Sequence, residues 1–227
     1  MTIDIHNMDN MAYQPYKKFD VIYADYIYED KNFNWVEKFW KYMKPNSVFI
    51  AQTDWHTNHR YRVFVEDVCG GILVNDAVLK CEWGNHPRNK FHQCFDNVII
   101  YSNSEKWVFH PEKIQVPKVT KNKGLNPSGR ETKQATAWID DCTLTTTALE
   151  RVKKDDGHLI RWQKPLKLYD RIIAPFVDDE HNEIFDPFGG TFSLGLWSKN
   201  NNMNYTGIEY DEEVFRYGKQ NIFGGDK

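Results

Sequence analysis

The stretch Glu183–Trp197, EIFDPFGGTFSLGLW, decides the fold of this chain. It predicts a short strand over Glu183–Asp186, a tight turn over Pro187–Gly190 and a helix over Thr191–Lys199. An acidic residue and two glycines at the carboxyl end of a strand let a ligand approach the backbone closely. In most proteins, however, a Gly-Gly turn binds nothing, so a binding site needs support from elsewhere in the chain.

That support comes from the next strand, which the sequence predicts over Tyr205–Glu209, before a helix over Asp211–Asn221. A carboxylate at the end of this strand is suited to accept hydrogen bonds from both hydroxyls of a ribose. Two consecutive strand–helix units therefore predict a nucleoside pocket at the carboxyl edge of a sheet. The alternative for Glu209 is a solvated acid at the end of a strand.

The rest of the chain alternates strands with helices, as is typical of an α/β sheet covered on both faces. The apolar runs predict two antiparallel neighbours, Val78–Trp83 and Asn97–Ser102. The other predicted elements are strands at Thr2–His6, Asp20–Ala24 and Ser47–Gln52, and helices at Asn34–Met43 and Lys164–Val177.

Composition narrows the class of protein. With 227 residues, 41% of them hydrophobic, the chain is long enough for one substantial core, so a single domain is expected. The sequence contains neither a long apolar run nor the basic and apolar segments of a signal peptide, which predicts a soluble protein in the cytoplasm. The four cysteines form no C-x-x-C pair, and His86, His92 and His110 have no partner at ligand spacing. We therefore expect reduced thiols and no metal site.

Charge is concentrated in one segment. The net charge of −3 argues only weakly against a polyanionic partner, because it does not show where the charges lie. Between Val116 and Thr136 the sequence has few large apolar residues and many basic ones: Lys118, Lys121, Lys123, Arg130 and Lys133. Such a loop is either a solvated linker or a segment that contacts phosphates.

The early strand Asp20–Ala24 is followed by an unusual cluster, Asp25, Tyr26 and Tyr28, within FDVIYADYIYED at residues 19–30. The two tyrosines are consistent with core aromatics that alternate across a strand. The downstream motifs favour a functional role instead.

Three segments together resemble the C-terminal half of the β-class DNA amino-methyltransferases, which methylate N6 of adenine or N4 of cytosine. WQKPLKLYDRII (162–173), IFDPFGGT (184–191) and YTGIEYDEEVF (205–215) are similar to that family's Q-K-P-x-x-L-x-x-R-I-I, D-P-F-x-G-S-G-T and G-I-E motifs. The order also matches: catalytic strand first, target-recognition region in the middle, glycine motif last.

The resemblance implies a Rossmann-like α/β fold with a mostly parallel sheet, one antiparallel strand and permuted motif order. It also implies a single methyltransferase domain over residues 1–227, with a target-recognition insertion at 103–160. S-adenosylmethionine is the implied cofactor and double-stranded DNA the implied partner, and monomer and homodimer both remain open. The implied cofactor-binding residues are Asp9, Gln163, Lys164, Asp186, Phe188, Gly189, Gly190, Thr191 and Glu209.

The cluster after the early strand takes the place of the family's catalytic D-P-P-Y motif, as DYIY. The resemblance implies that Asp25 accepts a hydrogen bond from the target amine, that Tyr26 supplies a backbone carbonyl, and that Tyr28 stacks on a flipped base. Tyr28→Phe is expected to have a mild effect, because the stacking ring is retained. Both family prolines are replaced, which removes the stiffness that proline gives a turn.

Other segments agree with the family. IDIHNMDNM (3–11) resembles its I-x-x-G-D segment, and residues 78–102 resemble its strand–loop–strand region, with Trp83, Phe91, His92 and Tyr101 in matching places and Asp96 near the family's acid. Phe192 replaces a glycine at the helix start, which we expect to narrow the methionine end of the pocket. Arg88 and Lys90 join the basic segment as expected DNA contacts.

The preferred activity is methylation of adenine N6, because Asp rather than Ser begins the DYIY cluster. Two alternatives remain open: a non-catalytic module that binds cofactor and DNA, and an enzyme of the same fold that methylates RNA or a smaller amine. A stand-alone modifier, a restriction partner and a virus-encoded enzyme would have similar sequences.

Overall fold

A computed structural model describes residues 1–28, 31–81, 87–118, 130–143 and 148–224 of the chain. The strands are β1 (Ile3–Asn7), β2 (Phe19–Asp25), β3 (Met43–Thr53), β4 (Ile72–Lys80), β5 (Phe95–Ser102), β6 (Gln115–Pro117), β7 (Thr132–Gln134), β8 (Trp138–Ile139), β9 (Glu183–Asp186) and β10 (Asn204–Glu209). The α-helices are α1 (Asn34–Trp40), α2 (Asn58–Cys69), α3 (Leu166–Ile172), α4 (Ser193–Asn200) and α5 (Glu212–Phe223).

Eight of the described strands form one sheet in the order β1-β10-β9-β2-β3-β5-β4-β8. Neighbours from β1 to β3 are parallel, β5 is antiparallel to both β3 and β4, and β4 is parallel to β8. Within this described sheet, β5 alone runs against the others. The prediction of a mostly parallel sheet with one antiparallel strand is therefore confirmed. Strands β6 and β7 pair separately as a short antiparallel ribbon.

The central strand β2 is apolar from Val21 to Ala24, because both of its faces are covered. Every residue from Phe19 to Ala24 is buried. Phe19 and Ile22 belong to a core cluster with α1, whereas Val21 and Tyr23 belong to a second cluster with α3. A strand buried on both faces is expected to carry a continuous apolar run.

The connections between strands place a crevice beside β2. From β2 the chain passes through α1 to β3 on one side, and from β9 it passes through α4 to β10 on the other side. Strands β2 and β9 are themselves neighbours, with Val21 opposite Ile184. In open α/β sheets ligands bind at such a switch point, outside the carboxyl ends of the strands. Asp25 ends β2 and Asp186 ends β9.

Several elements differ from the sequence prediction. Helix α2 was not predicted, and it buries only Tyr61 and Val65, which leaves little apolar periodicity to detect. Strand β4 begins at Ile72 rather than Val78, and the end of the predicted strand at Trp83 lies outside the described residues. The predicted helix Lys164–Val177 is shorter, because a 3₁₀ turn at Ala174–Phe176 follows α3.

The short strands β6, β7 and β8 were not predicted either. They have two or three residues each and are mostly exposed, so they carry no alternation of apolar and polar residues. They lie within the 103–160 region assigned to target recognition, and β8 extends the main sheet beside β4. Among the described helices, none has the length and apolar character needed to span a membrane.

Candidate functional site

A cavity of about 580 Å³ lies over the ends of β2, β9 and β10, within the usual size range of small-molecule sites. It brings together all the residues assigned to cofactor binding from the sequence. They are Asp9, Gln163, Lys164, Asp186, Phe188, Gly189, Gly190, Thr191 and Glu209. Asp25 lies on its wall as well.

The glycine turn after β9 is held against the end of β10. The Gly189 N–H donates to the carbonyl of Ile208 at 2.6 Å, and the Gly190 N–H donates to Glu209 Oε2 at 2.8 Å. The other oxygen of Glu209 accepts from the Asp211 N–H at 2.8 Å. The carboxylate thus joins the turn to the start of α5, where the Asp211 side chain accepts from the Val214 N–H as the helix cap.

Two conformational features explain the residue types in this turn. Gly190 has φ +52°, a left-handed conformation that favours glycine. At Gly189, an added Cβ would lie 2.1 Å from the ring of Phe192, so any side chain there would clash.

The expectation that Phe192 narrows the methionine end of the pocket is wrong. Its side chain is fully buried and is absent from the cavity wall. The ring packs behind the turn, between Gly189 and Gly218, and makes edge contacts with Tyr205 and Phe215. The backbone of Phe192 adopts φ +51°, a left-handed conformation that is rare for a residue other than glycine.

Asp186 is a buried acid at the bottom of the cavity. Its Oδ1 accepts from the Phe188 N–H at 3.1 Å, and its Oδ2 accepts from the Tyr205 hydroxyl at 3.0 Å. Burial raises the pKa of Asp186 to about 7, more than these hydrogen bonds lower it. Burial also raises the pKa of Glu209. The cavity therefore contains acids that a cationic ligand would stabilise in their charged form.

The raised pKa of Asp186 predicts a pH dependence of stability. The folded state keeps this proton up to about pH 7, whereas the unfolded chain releases it near pH 3.8. The free energy of unfolding should therefore decrease between about pH 4 and pH 7, on the order of a few kcal/mol from this group. Asp186→Asn, which cannot titrate, should flatten the profile in urea titrations at pH 5 and pH 8. An unchanged profile in the variant would contradict this assignment.

A second cavity of about 440 Å³ adjoins the first one. Asp25, Tyr26 and Tyr28 line it, together with the loop after β3 at Asp54 and Trp55. Cys81 and the segment Gln93–Asp96 line it as well. Asp25, Ile27, Trp162 and Lys164 line both cavities, so they form the boundary between the two.

Two of the DYIY side chains have different surroundings. Tyr26 is buried among Phe33, Trp35 and Tyr61, and its hydroxyl lies 3.0 Å from Thr57 Oγ1. Tyr28 is half-buried, and its hydroxyl lies 3.2 Å from Asp25 Oδ1 and 3.1 Å from Asp96 Oδ2. The hydroxyl thus connects two acids, and the mild effect expected of Tyr28→Phe stays a prediction.

The Tyr28 hydroxyl lies within donating distance of both carboxyl groups. A phenol has one hydrogen, so Tyr28 donates to either Asp25 or Asp96, or shares the hydrogen between them. Burial raises the pKa of Asp96, which favours its neutral form. Asp96 Oδ2 also accepts from Gln52 Nε2 at 2.7 Å, and the Tyr23 hydroxyl donates to Gln52 Oε1 at 3.1 Å. A chain of hydrogen bonds thus runs from Asp25 into the core.

Gln52 and Tyr23 were missed as site residues from the sequence, and Asp96 was named only as a family match. The sequence did contain a signal for Gln52, because it is a polar residue near the end of a buried strand. In the structure Gln52 lies directly opposite Asp25 on the neighbouring strand. Asp96 reaches the same edge because β5 is antiparallel, so that its first residues lie beside the last residues of β3.

Gln163 and Lys164, which are adjacent in the sequence, make different contacts. Gln163 donates to the Glu150 carbonyl at 2.6 Å and accepts from the Val152 N–H at 2.8 Å, so its amide anchors the preceding segment. Lys164 instead extends to Asp25, with Nζ 2.5 Å from Oδ2. Both side chains of this ion pair are mostly buried, with 14% and 17% of their surfaces exposed.

The residues assigned to DNA binding occupy two places. Arg88 and Lys90 are exposed on the loop before β5, and Lys90 Nζ lies 5.5 Å from the ring centre of Trp55 at the second cavity. Lys118, Arg130 and Lys133 lie on or beside the β6–β7 ribbon. Lys121 and Lys123 lie outside the described residues, as do Trp83 and His86.

The thiols and histidines form no further centre in the described part of the chain. Each of the four cysteines is a free thiol, and burial raises the pKa of Cys69, Cys81 and Cys142. Among the described residues, no group of three His, Cys, Asp or Glu side chains is arranged to hold a metal ion.

Comparison with known sequences gives a family match over most of the chain. The family model for DNA methylases of the N6 and N4 type matches residues 11–220. Type II methyltransferase M.HpaI of Haemophilus parainfluenzae is 22% identical over an alignment that covers 86% of this chain and 59% of that protein. The chain thus spans about three fifths of the length of this curated relative.

Solved structures share the fold at low sequence identity. A complex of M1.HpyAVI with SAM has a TM-score of 0.71 and 21% identity, covering 96% of this chain and 99% of that one. The cytosine-N4-specific PvuII DNA methyltransferase has a TM-score of 0.73 and 11% identity, covering 98% and 87%. TTHA0409 of Thermus thermophilus, in complex with S-adenosyl-L-methionine, has a TM-score of 0.59 and 12% identity, covering 96% and 94%.

Proposed function

This chain belongs to the DNA methylase family of the N6 and N4 type, and we propose that it transfers a methyl group from S-adenosylmethionine to an exocyclic amine of a DNA base, with adenine N6 preferred. One observation carries the proposal: Asp25 lies at the boundary between two adjoining cavities. A carboxylate in that position can contact a base amine in one cavity beside a methyl donor in the other.

The first cavity fits the chemistry of S-adenosylmethionine. The Gly189–Gly190 turn leaves its backbone accessible, and Gly190 has open space where a side chain would project. Glu209 offers acceptors for ribose hydroxyls, and Asp186 and Asp9 add negative character suited to a cationic ligand. Met8, Ile208 and Val214 supply apolar surface for a purine ring.

The second cavity fits a base taken out of a duplex. Trp55 and Trp162 are partly exposed at its wall, and aromatic faces stack on bases of any sequence. Trp162 also has φ +66°, an unusual conformation for a bulky residue and one that clusters at functional sites. Its placement on the boundary supports a role beside the reacting groups.

Transfer in this arrangement would be a direct displacement: the amine nitrogen would bond to the methyl carbon as the carbon–sulfur bond breaks, the thioether would leave with that electron pair, and the amine would lose one proton to solvent. S-adenosylmethionine supplies, when bound, an electrophilic methyl group on a sulfonium. The carboxylate of Asp25 accepts a hydrogen bond from the target amine and so directs the nitrogen lone pair toward the first cavity. The Tyr26 carbonyl accepts from the second amine hydrogen, and Tyr28 fixes the position of Asp25 through Oδ1. The preference for adenine rests on Asp, rather than Ser, at the start of the cluster.

Removal of Glu209 should weaken cofactor binding. Glu209→Ala deletes the proposed ribose acceptors, and we expect a loss on the order of 1.5–3 kcal/mol in binding free energy by titration calorimetry. Because this carboxylate also holds the Gly190 turn, Glu209→Gln is the matched control, since its amide oxygen can still accept from Gly190. Unchanged S-adenosylmethionine affinity in both variants would contradict the assignment.

We also propose that the Val116–Thr136 segment contacts DNA phosphates, together with Arg88 and Lys90. Neutralising Lys118, Arg130 and Lys133 together should weaken binding to many sequences alike and reduce the salt slope by about one unit for each lost contact. Neutralising Lys41, Lys106 and Lys219 removes the same charge elsewhere and is the control. If both triple variants keep the wild-type salt slope, the segment is a linker.

Two other functions are open to a protein of this fold: binding without catalysis, and methylation of RNA or a smaller amine. The molecule that accepts the methyl group distinguishes them. The replaced prolines of the DYIY cluster motivate a non-catalytic module that binds cofactor and DNA. The wild-type protein should transfer radiolabelled methyl groups to duplex DNA in preference to RNA or free nucleosides. Transfer mainly to RNA or nucleosides would favour a different substrate, and cofactor binding without any transfer would favour the non-catalytic function.

A further inference from the structure

Among the described residues, Lys164 is the one cation that lines both cavities, and Arg161 lines the first cavity alone. The Nζ of Lys164 lies 2.5 Å from Asp25 Oδ2 and 3.4 Å from the Trp162 carbonyl. A lysine ammonium has three hydrogens, so these two contacts leave one for a ligand. Lys164 therefore has a donor available beside the acceptor that the proposed reaction needs.

Tyr28 and Lys164 divide the two oxygens of Asp25. Tyr28 contacts Oδ1 from the side of Asp96, and Lys164 contacts Oδ2 from the boundary between the cavities. The carboxylate and the ammonium thus present an acceptor and a donor side by side. The described lining of the second cavity holds no other cation.

The target edge of the base has the complementary pattern. In adenine the N6 amine, a donor, adjoins N1, an acceptor; in cytosine the N4 amine adjoins N3 in the same way. A flipped base is read by hydrogen bonds to this Watson–Crick edge. If Asp25 accepts from the amine, the neighbouring ring nitrogen enters a mostly buried site and needs a donor of its own, because an unpaired buried acceptor is costly.

We propose that Lys164 is a base-recognition residue whose ammonium donates a hydrogen bond to the ring nitrogen next to the target amine while Asp25 accepts from the amine. This inference rests on the proposed function. The ion pair then serves two purposes: it holds Asp25 before the base enters, and it completes a donor–acceptor pair that matches the amidine edge shared by adenine and cytosine.

Substituted bases test this inference directly. After the methylated site is mapped on ordinary DNA, duplexes are prepared with adenine, 1-deazaadenine or 7-deazaadenine at the target position. The first analogue lacks N1, and the second lacks N7 on the other side of the amine. Wild type should methylate the 1-deaza duplex on the order of 10- to 100-fold more slowly, with a much smaller loss for the 7-deaza duplex. Equal rates on both analogues would overturn the inference.

Variants separate base recognition from the positioning of Asp25. Lys164→Met should lose activity on ordinary DNA but show little further loss on the 1-deaza duplex, whereas Lys164→Arg, which keeps a charged donor, should retain the discrimination. If Lys164→Met and wild type show the same ratio between adenine and 1-deazaadenine, Lys164 acts only through Asp25 and the inference is wrong.

The design also separates this inference from the proposed function. Methylation of ordinary DNA without sensitivity to N1 would overturn only the role of Lys164. Absence of methylation on any ordinary DNA would overturn the proposed function and this inference with it. If the mapped base is cytosine, 3-deazacytosine replaces the first analogue, with the same expected outcome.

Discussion

Replacing Asp25 with alanine is expected to lower methyl transfer by roughly 10²- to 10³-fold or more, because it removes the group that orients the amine at the moment of transfer. Cofactor binding should persist, since Asp186, Glu209 and the glycine turn remain. DNA affinity should also persist, because phosphate contacts supply much of it. The measurement is a single-turnover rate with labelled S-adenosylmethionine, together with calorimetric cofactor affinity.

The ion pair complicates this variant and also supplies its control. Asp25→Ala leaves the ammonium of Lys164 mostly buried without its carboxylate, which should destabilise the protein. The double variant Asp25→Ala/Lys164→Met removes that unpaired charge and should regain stability in thermal melts without regaining activity. Restored methyl transfer in the double variant would show that the loss came from the unpaired lysine rather than from the missing acceptor.

Replacing Phe192 with glycine is expected to destabilise the protein, although glycine is the residue that the family motif has at this position. Deleting a fully buried phenylalanine side chain lowers the free energy of unfolding by about 3–5 kcal/mol. Glycine adopts the φ +51° conformation without strain, which raises it again by about 1 kcal/mol. We therefore expect a net decrease of about 2–4 kcal/mol in the free energy of unfolding, measured in urea. An increase in stability would contradict the packing described here.

Gly189 provides the matched test of this packing. Gly189→Ala alone should destabilise the protein by about 1–3 kcal/mol, because the added Cβ would lie 2.1 Å from the ring of Phe192. In a Phe192→Gly protein the added Cβ has no ring to clash with, so Gly189→Ala should lower the free energy of unfolding much less. Additive effects of the two substitutions would show that the ring does not occupy the space behind the turn.

Much of the fold was predictable because the signals were local. The predicted strand Asp20–Ala24 is apolar after Asp20 since β2 is buried on both faces, and the turn after Asp186 carries glycines where the backbone needs them. Helix α2 was missed because it buries few side chains, and β6 to β8 because they are short and exposed. Such elements are fixed by their neighbours in the structure rather than by their own patterns.

The site was predictable where it depends on strand ends and was missed where it depends on long-range contacts. Asp25, Asp186 and Glu209 each end a strand, and parallel strands bring their carboxyl ends to one edge. The bond between Lys164 and Asp25 joins residues 139 positions apart, so no local pattern contains it. The direction of the Phe192 ring depends on the positive φ angle of this residue, which could not be predicted from the sequence.

The central claim, that this chain methylates an exocyclic amine of a DNA base through Asp25, is tested most directly by nucleoside analysis. Unmodified DNA is incubated with S-adenosylmethionine and either wild type or Asp25→Ala, then digested and analysed by mass spectrometry. We predict N6-methyladenine with wild type and none above background with the variant. A methylated base formed equally by both proteins, or no methylated base from wild type on any DNA, would contradict the account.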